Sequence, residues 1–248
     1  MATISLCMIV KNESAVLARC LDSIADLMDE IIIVDTGSTD NTKEIAAQYT
    51  SRIYDFKWTS DFSAARNFSF SKATMEYIYT ADADEILDDA NRERFLRLKD
   101  ALLPEIEIVQ MKYVTQGTFD TVLNAKKEYR PKLFRRLRTF TWIDPIHETV
   151  RLTPVTFDSD VEILHCPQSL HSKRDFSIFI KAFEHDGQFS PKIRTMYAKE
   201  LLKTGDKKDF TDAKPIFQLI FDNDPADDAR KEAACVLARI YRMEDNKN

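Results

Sequence analysis

Short apolar runs alternate with helical patterns in the first part of the chain, and this alternation restricts the possible folds more than any other feature. The runs have the length and composition of buried strands, and they cover residues 4–10, 31–34, 52–56 and 77–80. Helical patterns fill the intervals, at residues 14–28, 43–49 and 63–73. Because strand–helix alternation produces a parallel sheet with helices on its faces, we predict an α/β fold with a mostly parallel central sheet.

Polar and acidic residues follow three of the predicted strands, at residues 11–13, 35–40 and 81–85. Ligands of open α/β sheets bind outside the carboxyl ends of the strands. These three segments are therefore the candidate site. The chain has only four glycines and contains neither the P-loop nor the dinucleotide-binding glycine pattern, so a bound nucleotide would need other contacts.

Charge and hydropathy exclude several classes of protein. Lys plus Arg is 35 and Asp plus Glu is 41, and the resulting net charge of −6 argues against a general nucleic-acid binder. No uninterrupted apolar run is longer than residues 233–238, so we expect no membrane span. The four cysteines form no C-x-x-C pair, and the segment after Met1 lacks the features of a signal peptide. We expect a reduced cytoplasmic protein.

Two carboxylates, Asp82 and Asp84, follow the fourth predicted strand. In an extended chain, residues two positions apart point the same way, so both side chains can converge on one cation. Hard divalent ions such as Mg²⁺ bind carboxylate oxygen and keep positions for water and substrate phosphate. Such an ion would neutralise a leaving diphosphate. The alternative is a solvated acidic turn, but the position at a strand end favours the metal site.

Four sequence blocks, in this order, resemble those of family 2 glycosyltransferases. They are SLCMIVKNE at 5–13, VDTGSTDNT at 34–42, DFSAARN at 61–67 and DAD at 82–84. The resemblance implies the GT-A fold, a nucleotide-sugar donor that is usually UDP-linked, a divalent metal (Mn²⁺ or Mg²⁺) and an inverting single displacement. The most similar subgroup is bacterial and carries tetratricopeptide-like helices after the catalytic domain. Some of its members glycosylate proteins or peptides, so the implied acceptor is a protein, peptide or glycan.

The resemblance also implies which residues contact the nucleoside of the donor. Asp35 matches the family aspartate that contacts the uracil or the ribose. The backbone from Val10 to Asn12 matches the loop beneath the nucleotide. Glu13 is then expected to contact the ribose or the base.

Residues of the later blocks are implied for the diphosphate and the metal. Arg66 offers a planar fork suited to the nucleotide or the diphosphate, and its alternative role is a helix-surface ion pair with Asp61. Asp84 is the expected metal ligand. Asp82 is expected to contact either the ribose or the metal.

An inverting transfer needs a base that removes the acceptor's proton. The resemblance makes His147-Glu148 the acceptor-side block, where many members of the wider family have an acidic pair. This departure leaves the base open: we prefer Glu148, but His147 could be the base or a third metal ligand, because neutral imidazole suits either role. His165 and His171 are interpreted as strand-end and loop residues without a chemical role.

Seven basic residues between positions 126 and 138 allow two interpretations, a positive wall for a diphosphate or an acidic acceptor, and a solvated β-hairpin. From Lys173 onward the pattern is helical and resembles about one and a half tetratricopeptide units. We therefore predict a catalytic domain over residues 1–170 and a tetratricopeptide-like region over 171–248. That region either recognises an acceptor protein or acts as a helical buttress.

The predicted function is metal-dependent transfer of a sugar from a nucleotide-sugar donor to a protein, peptide or glycan. One alternative is a non-catalytic helical scaffold with a degenerate nucleotide-sugar-binding domain, which the two intact aspartates argue against. A nucleotidyltransferase is a second alternative, but it would need a glycine-rich loop after the first strand, and residues 10–14 contain no glycine. Which sugar and which acceptor are used depends on pocket shape, which the sequence does not reveal.

Overall fold

A computed structural model describes residues 1–115, 127–136, 142–143, 145–146, 148–150, 154–166 and 172–245. The strands are β1 (Ile4–Val10), β2 (Glu30–Asp35), β3 (Ile53–Asp55), β4 (Tyr77–Thr80), β5 (Glu85–Ile86), β6 (Ile108–Thr115), β7 (Lys127–Arg135), β8 (Trp142–Ile143), β9 (Thr149–Val150) and β10 (Thr156–His165). The helices are α1 (Leu17–Ile24), α2 (Thr42–Ala46), α3 (Phe62–Phe70), α4 (Asp89–Ala101), α5 (Ser172–Asp186), α6 (Pro191–Thr204), α7 (Lys207–Asn223) and α8 (Asp227–Asp245).

The chain divides into two compact units. The first consists of Met1–Thr59, Ser63–Ile143 and Thr149–Gln168. The second consists of Ser60–Phe62, Asp144–Glu148 and Ser169–Asn248. Whether residues 1–170 and 171–248 behave as two separate domains stays a prediction.

A mixed, mostly parallel sheet forms the centre of the first unit. In the described part of the chain its strand order is β3-β2-β1-β4-β7-β6-β10-β5. Strand β1 pairs in parallel with β2 and β4, β2 with β3, and β6 with β10. Strand β7 runs antiparallel to both β4 and β6, and β5 runs antiparallel to β10. The α/β prediction is confirmed.

The central strands are buried on both faces, as their continuous apolar runs predict. Alternate residues of β1 enter different core clusters: Leu6 and Met8 pack with Leu21 of α1, whereas Cys7 packs on the other face with Phe68 of α3. Helices therefore cover both faces of the sheet, and each buried Leu or Met contributes about 1.5–3 kcal/mol to folding. This arrangement leaves the carboxyl ends of the strands as the polar edge.

Helix α4 and strand β10 are two elements that the sequence analysis did not predict. The Asp88 carboxylate accepts the Asn91 N–H at 2.9 Å and caps α4. Phe95 of α4 is fully buried and meets the Tyr79 ring edge-on, with the ring centroids 5.3 Å apart. The burial of Phe95 holds α4 to the sheet face. The predicted helices at 14–28, 43–49 and 63–73 are shorter than expected, because turns and a short 3-10 helix replace their ends.

The second unit contains α5 to α8, packed around Tyr197. This ring is fully buried and stacks on Phe179, with the centroids 4.7 Å apart, and it also contacts Phe217. Arg194 of α6 forms a 2.8 Å ion pair with Glu232 of α8. The predicted helical region is thus observed. None of the helices in the described ranges is long and apolar enough to cross a membrane.

Candidate functional site

The loops that follow β1 and β2 hold each other at the polar edge of the sheet. The Asn12 N–H donates to Ser38 Oγ at 2.9 Å, and the Asn12 side-chain oxygen accepts the Thr39 N–H at 2.8 Å. Asn12 has φ of 55°, a left-handed conformation that asparagine tolerates better than most residues. The Glu13 N–H donates to Thr42 Oγ1 at 2.8 Å. Asn12, expected beneath the nucleotide, and Glu13, expected to contact the ribose or the base, therefore join the two loops; the predicted nucleotide contacts stay predictions.

Backbone and carboxylate contacts extend this connection between the two loops. The Val10 carbonyl accepts the Thr36 N–H at 3.0 Å. The Asp40 carboxylate accepts the Ser14 N–H at 3.2 Å and the Thr42 N–H at 3.1 Å. Burial raises the pKa of Asp40, but hydrogen bonds from the side chains of Ser14 and Thr42, together with those from the same two N–H groups, outweigh it and lower the pKa to about 2. Asp40 is therefore a charged link between the loops.

Asp35, at the end of β2, accepts hydrogen bonds with one carboxylate oxygen, and its other oxygen has no partner in the described part of the chain. Its Oδ1 accepts the N–H groups of Gly37 and Ser38, both at 2.9 Å. Gly37 has φ of +101°, which this tight turn requires and which a side chain would strain. Asp35 is only 1% exposed, and its Oδ2 has no hydrogen-bond partner among the described residues. A buried acceptor left unpaired costs about 1–3 kcal/mol, so Oδ2 is suited to accept from a ligand.

The carboxylates at the end of β4 alternate with small buried residues. Ala81 and Ala83 are buried, whereas Asp82 is exposed and Asp84 is half-buried. This alternation directs both carboxylates away from the core, as the i and i+2 spacing predicts.

His165, at the end of β10, is a partner of Asp84 that the sequence analysis missed. Its Nε2 lies 3.0 Å from Asp84 Oδ2. The next residue, Cys166, donates its N–H to the Asp84 carbonyl at 2.9 Å. A backbone hydrogen bond therefore joins the same two segments that carry Asp84 and His165. The imidazole packs on the Tyr113 ring, with the centroids 4.9 Å apart. The interpretation of His165 as a strand-end residue without a chemical role overlooked this contact.

Asp84 and His165 present an oxygen and a nitrogen donor 3.0 Å apart, and the Asp82 carboxylate lies on the same turn. Mg²⁺ is commonly held by one or two carboxylates together with substrate phosphates, and Mn²⁺ also accepts imidazole. No group of three or more His, Cys, Asp or Glu side chains within the described ranges is spaced to hold a metal by itself. These side chains therefore suit an ion whose remaining ligands come from the substrate. His147, the predicted alternative ligand, lies outside the described residues.

Positive side chains surround Asp82. The Asp82 side chain reaches solvent on one side and is surrounded by protein on the others. This partial burial raises the pKa of Asp82, but the charges of Lys132, Arg66 and Arg130 outweigh the effect and lower the pKa below its ordinary value. The Arg66 guanidinium lies 4.7 Å from the centre of the Trp142 ring. Arg130 lies 3.7 Å from the centre of the Tyr113 ring. Arg66 and Arg130 reach solvent and favour an anionic ligand, whereas Lys132 is buried.

The basic segment is part of a β-hairpin, and its role as a positive wall for a diphosphate or an acidic acceptor stays a prediction. Strand β7 is one strand of a hairpin with β6, and Arg135 and Arg136 donate to the carbonyls of Pro104 and Met75. The charges of Arg130 and Lys132 instead lower the pKa of Asp82. Lys126 and Arg138 lie outside the described residues.

Glu148 belongs to the second unit and is half-buried. Its assignment as the base stays a prediction.

The comparison with known sequences identifies the family. The sequence profile described as "Glycosyl transferase family 2" matches residues 5–153, more than half of the chain. The chain belongs to glycosyl transferase family 2. The predicted resemblance is confirmed.

Curated relatives of this family 2 chain are much longer than the matched regions. A TPR repeat-containing protein of Synechococcus elongatus is 48% identical over 87 residues, which is 35% of this chain and 22% of that protein. The prophage-derived glycosyltransferase SunS of Bacillus subtilis is 33% identical over 132 residues, which is 52% of this chain and 31% of that protein. The matches thus span less than a third of each of these relatives.

A solved structure supports the GT-A fold of the family 2 chain. Glucosyl-3-phosphoglycerate synthase from Mycobacterium tuberculosis, in complex with Mn²⁺, UDP-glucose and phosphoglyceric acid, superposes with a TM-score of 0.56 at 18% identity. The match covers 77% of this chain and 82% of that one. At this identity the likeness establishes the fold alone, and the GT-A prediction is confirmed.

Proposed function

We propose that this family 2 chain is a metal-dependent, inverting glycosyltransferase that moves a sugar from a UDP-linked donor to a protein, peptide or glycan. The observation that carries the proposal is the Asp84–His165 pair, which lies beside Asp82 at the polar edge of the sheet. Asp35 stands at the same edge, two strands away across β1. Strand spacing makes this separation about 10 Å. A nucleoside at Asp35 can thus extend its diphosphate toward the carboxylates.

The nucleoside half of the site would be bound without metal. Asp35 Oδ2 would accept a hydrogen bond from the base or the ribose, and the turn at Gly37 holds the carboxylate in place through its other oxygen, Oδ1. The loop from Val10 to Asn12 would support the nucleotide from below, and Glu13 would contact the ribose or the base.

The diphosphate half would be bound by charge. Arg66 presents a guanidinium plane, held against Trp142, that suits two phosphate oxygens. Asp84, His165 and Asp82 would hold Mn²⁺ or Mg²⁺, and the ion would neutralise the charge that develops on the leaving diphosphate. Solved complexes of the M. tuberculosis enzyme contain Mn²⁺ and UDP-glucose, which supports this choice of ion and donor.

Glu148 would remove the acceptor's proton as the sugar is attacked, and His147 is the alternative base or metal ligand. Helices α5 to α8 would contact the acceptor as a tetratricopeptide-like region, a role supported by similarity to a TPR repeat-containing relative. No disulfide joins the four cysteines, all of which lie in the described ranges, and this suits the proposed cytoplasmic setting.

The test is calorimetric titration with UDP, GDP and dTDP, in EDTA and in Mn²⁺. We expect UDP to bind best and Mn²⁺ to tighten its binding. Absence of binding at millimolar nucleotide would contradict the proposal and favour the non-catalytic scaffold. If binding is found, hydrolysis of UDP-sugars in the presence of metal identifies the donor.

A further inference from the structure

A buried ion pair lies directly behind the turn that carries Asp82 and Asp84. Lys132 Nζ is 2.7 Å and 2.8 Å from the two carboxylate oxygens of Glu85. The Lys132 side chain is 6% exposed and that of Glu85 is 2% exposed. Glu85 has no role in the proposed site, and Lys132 has only the effect of its charge on Asp82; an ion pair this deeply buried has a large desolvation cost.

An irregularity in β7 directs Lys132 toward this position. Val109 of β6 pairs with Leu133, but the next residue, Gln110, pairs with Pro131, so Lys132 is the extra residue of a β-bulge. Bulges redirect a side chain and are frequent next to active sites. On its other side β7 pairs with β4 only as far as Leu133, opposite Tyr79. Lys132 therefore lies beyond the paired segment, level with the turn that ends β4.

Glu85 connects Lys132 to the carboxylate turn. Its side-chain Oε2 accepts the Asp82 N–H at 3.2 Å, and its own N–H donates to the Asp82 carbonyl at 3.1 Å. These two hydrogen bonds close the turn between Asp82 and Glu85. Because Lys132 holds the same Glu85 carboxylate, the lysine restricts how the turn can move.

We propose that Lys132 is a positioning residue that acts through Glu85 to keep Asp82 and Asp84 in the orientation that binds the metal–diphosphate part of the donor. The inference rests on the proposed function. It assigns Lys132 no contact with substrate or metal. Its consequence is a specific defect: loss of Lys132 harms the metal-dependent part of donor binding and spares the nucleoside part at Asp35.

The chain provides a matched control in Lys99, which is also 6% exposed and forms a 2.7 Å ion pair with Asp29. Asp29 accepts the Ile4 N–H, so this pair lies at the amino end of β1, opposite to the candidate site. Lys132→Met and Lys99→Met remove the same charge from equally buried lysines. Because Glu85 is 2% exposed and Asp29 is 37% exposed, a purely structural role would lower the melting temperature more in Lys132→Met, but it would not affect the Mn²⁺-dependent part of UDP binding selectively.

The experiment measures UDP affinity by calorimetry in EDTA and in saturating Mn²⁺, with the melting temperature of each variant. We expect Lys132→Met to bind UDP like the wild type in EDTA. The increase in UDP affinity that Mn²⁺ causes should be about tenfold or more smaller than in the wild type, as for one lost charge-assisted contact. Lys99→Met should lower the melting temperature and keep the gain. The double variant Glu85→Gln, Lys132→Met retains an acceptor for Asp82 and leaves no unpaired carboxylate, so part of the gain should return.

Three results would overturn the inference: a full Mn²⁺ gain in Lys132→Met, an equal loss in Lys99→Met, or failure of both Lys132 variants to fold. The last would make the pair a structural requirement only. A wild type whose UDP binding is insensitive to Mn²⁺ would refute the proposed metal dependence first, and the inference with it. Loss of the Mn²⁺-dependent gain in UDP affinity in Lys132→Met, without such a loss in Lys99→Met, supports the inference.

Discussion

Asp35→Asn tests the nucleoside half of the site without disturbing the turn around it. The asparagine carbonyl can occupy the position of Oδ1 and accept the same two N–H groups, from Gly37 and Ser38. Its amide nitrogen then replaces Oδ2, the buried oxygen that has no partner among the described residues. The substitution therefore changes an acceptor into a donor at the one atom assigned to the ligand.

The size of the effect follows from these contacts. A hydrogen bond to a charged group contributes about 1.5–3 kcal/mol, which corresponds to about tenfold to hundredfold in affinity. Because the new N–H faces a hydrogen-bond donor of the ligand, we expect a loss of UDP affinity near the upper end of this range, about hundredfold. The fold retains both hydrogen bonds of the turn, so the free energy of unfolding should change by about 1 kcal/mol or less. Asp35→Ala, which removes them, should be less stable than Asp35→Asn.

The assay is UDP binding by calorimetry in EDTA, where the metal ligands do not contribute. Asp88→Asn is the matched control: Asp88 also accepts a backbone N–H, as the cap of α4, and asparagine caps helices equally well. It should bind UDP like the wild type. The assignment of Asp35 would be refuted if Asp35→Asn bound UDP with unchanged affinity in EDTA.

Three further predictions concern the metal, the base and the loops. Asp84→Ala and His165→Ala should each abolish the gain in UDP affinity from Mn²⁺ and leave binding in EDTA intact; a full gain in either variant would contradict the metal assignment. Glu148→Gln should keep donor affinity and lower transfer to an acceptor about 10²–10⁴-fold, whereas a rate loss in His147→Ala alone, with unchanged Mn²⁺-dependent binding, would make His147 the base. The pKa of Asp40 is lowered from 3.8 to about 2, so its charge stabilises the fold above about pH 4, and this contribution is lost as the pH falls toward 2. The difference in melting temperature between wild type and Asp40→Asn should therefore shrink between about pH 4 and pH 2. A constant difference would refute this role of Asp40.

The sequence predicted those parts of the molecule in which one segment determines its own structure. The bounds of β1 match the predicted run at 4–10, and those of β4 match 77–80, because each is an apolar run that ends at a polar turn. The outward direction of Asp82 and Asp84 follows from the two-residue period of extended chain, so it too could be predicted. Short-range periodicity is sufficient for these features.

The remaining part of the site depends on contacts between distant segments. His165 lies 81 residues after Asp84, and its position depends on the pairing of β10 with β6 and β5. The role of Lys132 depends on a bulge, which appears in the register between two strands and not in the order of residues along one. In the sequence, Lys132 is one of seven basic residues in its segment, and the preceding Pro131 is a sign of an irregular strand that does not reveal where the lysine points.

This difference in origin explains why the two halves of the site can be tested separately. The nucleoside half is formed by the ends of β1 and β2, whose connecting hydrogen bonds lie within the two loops that follow them. The metal half requires the end of β4 together with β7 and β10, so a change in any of these strands reaches Asp84 through its neighbours. A defect from Lys132 or His165 should therefore depend on Mn²⁺, whereas a defect from Asp35 should persist in EDTA. Variants from both halves with the same metal dependence would mean that the edge of the sheet responds as one unit.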